Sequence, residues 1–202
     1  MTRHRRGLMI GKFYPPHRGH HTAIRAAAAQ CRRFTVLVMA SAVETIPLAD
    51  RIAWLRAEHD GEAGVRIIGV PCDAPLDVTS PSVWAAQVAV MRAALRCAGE
   101  PSEVDALFSG EPYGAELARW LDAADVRIPR TDVSGTAVRA DLAGRWSDLA
   151  PAARAGLATR VVLVGAESTG TTTLAGLLTR HYAARGGAWA ETRCVEEYGR
   201  EY

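Results

Sequence analysis

The chain has 202 residues, 49% hydrophobic and 23% charged, which is the make-up of an ordinary globular protein. A net charge of +2 gives no sign of a nucleic-acid or membrane surface, and no apolar run is long enough to cross a bilayer. The cysteines (Cys31, Cys72, Cys97, Cys194) are scattered without a C-x-x-C pair, so they indicate neither a zinc site nor a disulfide framework.

The first strand is expected at residues 8–10, followed by a loop and an Ala-rich helix over 21–33. Residues 34–39 form a near-continuous apolar run, the mark of a strand buried on both faces. A helix opened by Asp50, a strand at 65–70 and a Pro-, Asp- and Ser-rich loop at 71–82 come next. A helix from 83 to about 97, a strand at 104–108, a short helix at 115–121 and a strand at 126–128 complete the series. Such alternation predicts an α/β fold with a doubly wound, largely parallel sheet whose ligands collect at the strands' carboxyl ends.

The loop after the first strand reads Gly11-Lys12-Phe13-Tyr14-Pro15-Pro16-His17-Arg18-Gly19-His20. Strand, tight loop and helix start leave backbone N–H groups free to meet phosphate. His17 and His20 flank a glycine that lets a ligand approach the backbone. Lys12 is the single lysine among 24 basic Lys and Arg residues, which marks it as chosen for its compact ammonium. A second motif runs Asp132-Val133-Ser134-Gly135-Thr136-Ala137-Val138-Arg139. Ser134 is a candidate N-cap, and Thr136 and Arg139 project near the same end, converging on one anion.

These stretches resemble the H-x-G-H and I-S-x-T-x-x-R motifs of the nucleotidyltransferase superfamily. Gly-Lys-Phe-Tyr-Pro narrows the resemblance to the adenylyltransferase half of NadR-type proteins. The resemblance implies a Rossmann-like domain over 1–145 that joins ATP and nicotinamide mononucleotide into NAD and pyrophosphate. It implies catalytic roles for His17, His20 and Lys12 and an ATP site of Gly11, Phe13, Tyr14, Gly19, Ser109, Gly110, Glu111, Ser134, Thr136 and Arg139. Trp84 falls where the family places an aromatic near the nicotinamide ring, and a cationic pyridinium favours an aromatic face. Core packing explains Trp84 equally well. Mg²⁺ is expected to accompany the ATP, and superfamily members often assemble into oligomers.

Beyond an expected linker at 146–159, residues 161–164 read as a strand running into Gly165-Ala166-Glu167-Ser168-Thr169-Gly170-Thr171-Thr172. This has P-loop spacing (Gly165, Ser168, Gly170, Thr171, Thr172) ahead of a helix at 173–184. Thr171 stands where the phosphate-binding lysine belongs. The stretch 160–202 resembles the opening of a ribosylnicotinamide kinase half, with Tyr198 near the nucleoside pocket. It is shorter than the roughly 100 residues a domain usually needs, so kinase activity is not expected. A cytoplasmic protein without nucleic-acid or membrane partners is expected. The alternatives are another superfamily enzyme, acting on phosphopantetheine or a cytidylyltransferase-type acceptor, and a sensor of NAD or ATP.

Overall fold

The computed structural model describes residues 4–74, 77 and 79–195. Strands β1 (His4–Gly11), β2 (Cys31–Ala40), β3 (Val65–Pro71), β4 (Ala106–Ser109) and β5 (Ala124–Arg127) form one parallel sheet. Their spatial order is β3-β2-β1-β4-β5. The chain winds outward from β1 to β3, crosses back, and adds β4 on the other side. The switch point therefore lies between β1 and β4, where the carboxyl ends of two strands diverge and leave a crevice.

Alternation along the strands sends neighbouring side chains to opposite layers. Leu8, Leu37 and Ile68 pack beneath α3 (Pro81–Cys97) and α4 (Gly114–Leu121), against Val88, Met91, Leu95 and Leu117. Met9, Val36, Val38 and Ile67 face the other way, onto Ile24 and Ala27 of α1 (Arg18–Ala28) and Leu55 of α2 (Leu48–His59). Burial on both faces is why β2 reads as an unbroken apolar run. The elements expected up to residue 128 all form, with shifted ends: α1 begins at Arg18, so the His17–His20 pair sits on the first turn itself. Helix α3 begins on Pro81 at its first turn, with Ser80 capping the Val83 amide.

Two expectations fail. Residues 146–159, read as a linker, fold into a 3₁₀ turn (Trp146–Asp148) and α6 (Pro151–Leu157). Leu149 and Ala153 are buried with Trp54, Val133 and Val138, so this segment closes a third small core after α5 (Gly135–Ala140). Small residues share in those contacts with Leu149: Gly156 lies so close to the Trp54 indole that it has no room for a Cβ. Small residues of this kind look neutral in a hydropathy pattern. The strand expected at 161–164 is absent; Val161, Val162 and Val164 are exposed, and no described residue pairs with them. A parallel strand draws its hydrogen bonds from its neighbours, so apolar residues alone do not make one. The following helix, α7 (Thr171–Ala183), does form.

Candidate functional site

A groove of about 650 Å³ opens at the switch point. Its walls are the β1–α1 loop, the end of β4, and the stretch from Ile128 to Arg139. Gly11, Lys12, Phe13, Tyr14, His17, Gly19, His20, Ser109, Gly110, Glu111, Ser134, Thr136 and Arg139 all line it. Residues far apart in sequence meet because parallel strands place all these loops at one edge.

His17 and His20 stack face to face, with ring centroids 3.7 Å apart, on the first turn of α1. The His17 amide donates to His20 Nδ1 at 3.3 Å, so in its neutral form His20 carries its proton on Nε2. Burial pushes the His17 pKa down to about 4, against an opposing pull from the Asp148 carboxylate. Burial also drives His20 well below its ordinary value, and the neighbouring His17 and His21 add to it. Both imidazoles are therefore neutral hydrogen-bonding groups at pH 7, and a bound polyanion would raise their proton affinity. Phe13, buried and at φ 46°, backs His20 edge-on at 4.8 Å. A positive φ on an aromatic residue is strained, and its place in this loop is where such strain collects. A Cβ on Gly19 would collide with Thr131 Oγ1 and crowd the His17 ring, so only glycine fits between the two histidines.

Tyr14 ties the loop to its surroundings. Its hydroxyl meets Thr45 Oγ1 at 2.6 Å and accepts from the Thr45 amide. The guanidinium groups of Arg51 and Arg139 lie over its ring at 4.6 and 4.8 Å. Arg139 donates to the Tyr14 carbonyl at 2.5 Å and to Thr136 Oγ1 at 3.3 Å. Ser134 caps α5 by accepting from the Ala137 amide, as its spacing predicted. At the far end Ser109 Oγ accepts from the Glu111 amide, and Glu111 is paired with Arg130 at 3.0 Å.

Trp84 is a core residue at 5% exposure that also reaches a cavity of about 110 Å³ adjoining the groove. That cavity shares Ile10, Gly11, Lys12 and Tyr113 with the groove. The P-loop-like residues 165–172 stand apart from it: they are mostly exposed and do not line the groove. Tyr198 lies outside the described residues.

Several groups escape the sequence reading. Arg51 is fully buried and donates to the Ile46 and Lys12 carbonyls and to Glu44 Oε2 at 2.6 Å. Glu44 also pairs with Lys12 Nζ at 2.8 Å. Burial pushes the Glu44 carboxyl up, but bonds from Lys12 and Arg51 outweigh this and hold it below the usual range. A charged residue next to Ile52 and Leu55 in an otherwise apolar helix stripe was the one available signal. His21 and His59 are likewise buried, with Nδ1 and Nε2 2.9 Å apart, and His59 Nδ1 is 3.0 Å from Glu62. Burial lowers the His21 pKa to about 4, and the neighbouring His59 adds to it.

A pH dependence follows. His17 and His21 bind protons more weakly folded than unfolded, so the unfolded state gains protons first as pH falls. Stability is fully present above the unfolded value of about 6.5 and declines towards pH 4, by up to about 1.4 kcal/mol per unit for each histidine. Urea midpoints at pH 7, 5.5 and 4.5 should fall in that order, and His21→Gln should flatten the slope.

Comparison with known proteins supports the fold. A family model described as an AAA domain matches residues 160–202. No curated protein matches the chain. A crystal structure of NadR protein in complex with NAD and AMP-PNP is similar over 89% of this chain and 54% of that one, with 22% identity and a TM-score of 0.69. A second, of NadR protein in complex with NR, covers 87% of this chain and 51% of that one, at 23% identity and a TM-score of 0.70. A bifunctional NMN adenylyltransferase/ADP ribose pyrophosphatase from Francisella tularensis covers 94% and 52%, at 11% identity and a TM-score of 0.53. Among the described residues no helix is long and apolar enough to cross a membrane. The fold of this chain is the one seen in NadR protein structures, and the chain spans about half the length of those it matches.

Proposed function

We propose that the groove transfers the adenylyl group of MgATP to nicotinamide mononucleotide, giving NAD and pyrophosphate. The observation that carries this reading is the convergence of Lys12, His17, His20, Ser134, Thr136 and Arg139 on one groove at the sheet's switch point. Its volume is of the size that holds a nucleotide. The NadR protein structures in complex with NAD, AMP-PNP and NR support it by the ligands they carry.

The 5′-phosphate of the mononucleotide attacks the α-phosphorus in line, forming one P–O bond as the bond to the β-phosphate breaks. The nucleophile is already ionised at neutral pH, so the site needs donors and position rather than a general base. The His20 Nε2–H, with His17 stacked on it, donates to triphosphate oxygens as charge moves onto them. Lys12 neutralises the same charge. Ser134, Thr136 and Arg139 hold the departing pyrophosphate. The groove's carboxylates are committed, Glu44 to Lys12 and Arg51 and Glu111 to Arg130. That donor set fits a Mg²⁺ that arrives on the triphosphate, held by phosphate oxygens and water. The mononucleotide's ring is assigned to the cavity beside Trp84 and Tyr113.

The P-loop-like segment is assigned no phosphoryl transfer, because Thr171 supplies no point charge for a β- or γ-phosphate. The test is NAD formation from MgATP and nicotinamide mononucleotide, run beside phosphopantetheine and nicotinic acid mononucleotide. NAD as the preferred product supports the proposal. Turnover of phosphopantetheine alone moves the substrate to another superfamily acceptor, and ATP binding without turnover of any acceptor favours a sensor.

A further inference from the structure

A carboxylate is out of place in a groove built for a triphosphate. Glu44 lines that groove, yet its side chain is only 6% exposed and nothing about its position is loose. One oxygen takes Arg51 Nη1 at 2.6 Å and the Ser41 amide at 3.3 Å. Arg51 is in turn locked: Nε and Nη2 both donate to the Ile46 carbonyl, and Nη1 also reaches the Lys12 carbonyl at 3.0 Å. The other Glu44 oxygen is left facing Lys12 Nζ at 2.8 Å. Lys12 itself is 55% exposed, on a flexible four-carbon arm that has no other fixed partner among the described contacts.

We propose that Glu44 is a positioning residue that pins the Lys12 ammonium over the groove, with Arg51 holding both the carboxylate and the Lys12 backbone. The kinetic part of this inference rests on the adenylyl-transfer reading; the structural part does not. An ammonium has three donors. One is spent on Glu44, and two remain directed at an incoming triphosphate. The rotamer freedom of a lysine is costly to freeze, and freezing it before substrate arrives removes that cost from the reaction. The local charges also fit: two cations and one carboxylate leave a net positive site, so the groove still attracts the polyanion. A freed Lys12 could still find a ground-state triphosphate with its long arm. What it would lose is its fixed place where charge develops in the transition state.

Because Lys12 is the only lysine in the chain, isotope-labelled lysine gives a single set of side-chain NMR signals. In the wild-type protein the Lys12 Cε relaxation should report a restricted side chain, and in Glu44→Gln one as mobile as a lysine in an unfolded peptide. Glu44→Asp is the companion variant. It keeps a charge on Arg51, and so the fold, but withdraws the carboxylate from Lys12 by one methylene, and it should also free the lysine. In NAD formation, Glu44→Gln should lower kcat by about tenfold and leave KM for MgATP within about twofold, a loss confined to the transition state. In a Lys12→Met background the same substitution should change nothing further, because its effect runs through the lysine. A mobile Lys12 in wild type overturns the inference, and so does an undiminished Glu44→Gln loss in the Lys12→Met background. If wild type makes no NAD, the reaction assignment fails while the relaxation measurement still decides whether Glu44 orders Lys12.

Discussion

His20→Ala is expected to lower kcat for NAD formation by about a hundredfold or more while leaving the fold intact. The size follows from removing one preorganised donor aimed at charge that builds in the transition state, which typically costs 10²–10³ in rate. The ring is half-buried on the first turn of α1, with Phe13 edge-on behind it and His17 stacked against it, so its Nε2–H is held in place before substrate arrives. The stability cost should be modest, because the substitution removes a partly exposed ring and keeps a good helix former. The measurement is steady-state NAD formation, with a thermal melt of the same sample. A fall in rate that merely tracks a fall in folded fraction would remove His20 from the chemistry. His17→Ala is the comparison: its ring is buried, so its removal leaves a cavity and should cost both rate and stability.

The largest stability effect is expected at Arg51. Arg51→Leu should destabilise the protein by about 3–5 kcal/mol, the usual cost of removing one partner from a buried ion pair. The guanidinium is fully buried and satisfies the Ile46 carbonyl, the Lys12 carbonyl and the Glu44 carboxylate together. Leucine fills much of the space but supplies no donor, so three acceptors are stranded, one of them charged. For a protein of this size the loss corresponds to a fall in Tm of roughly 10 °C. Adding Glu44→Gln to Arg51→Leu should restore part of the loss, since an unpaired buried carboxylate is the costliest remnant. A Tm unchanged within a degree or two would show that Arg51 is not the brace its contacts describe.

The sequence by itself determined the architecture and most of the candidate site. Apolar runs at 34–39 and 65–70, alternating with helical segments, require strands covered on both faces, and the parallel sheet follows from that. The Gly11–His20 loop and the Ser134–Arg139 segment were legible because their chemistry is local: a glycine between two histidines, a serine at a helix start. Tertiary structure alone decided which distant groups meet. Glu44 carries no signal in the sequence and Arg51 only its place in an apolar helix stripe, and only the return of the chain after β2 brings them under Lys12. His21 and His59 carry no visible pattern, yet packing of α1 against α2 buries them within hydrogen-bonding distance. The third core was missed because the segment that closes it docks partly through Ala153 and Gly156 at close approach, which hydropathy does not register. The opposite error arose at Val161–Val164, where an apolar run was read as a strand. Periodicity reports what a segment can bury, whereas a strand exists only where neighbouring backbone completes its hydrogen bonds.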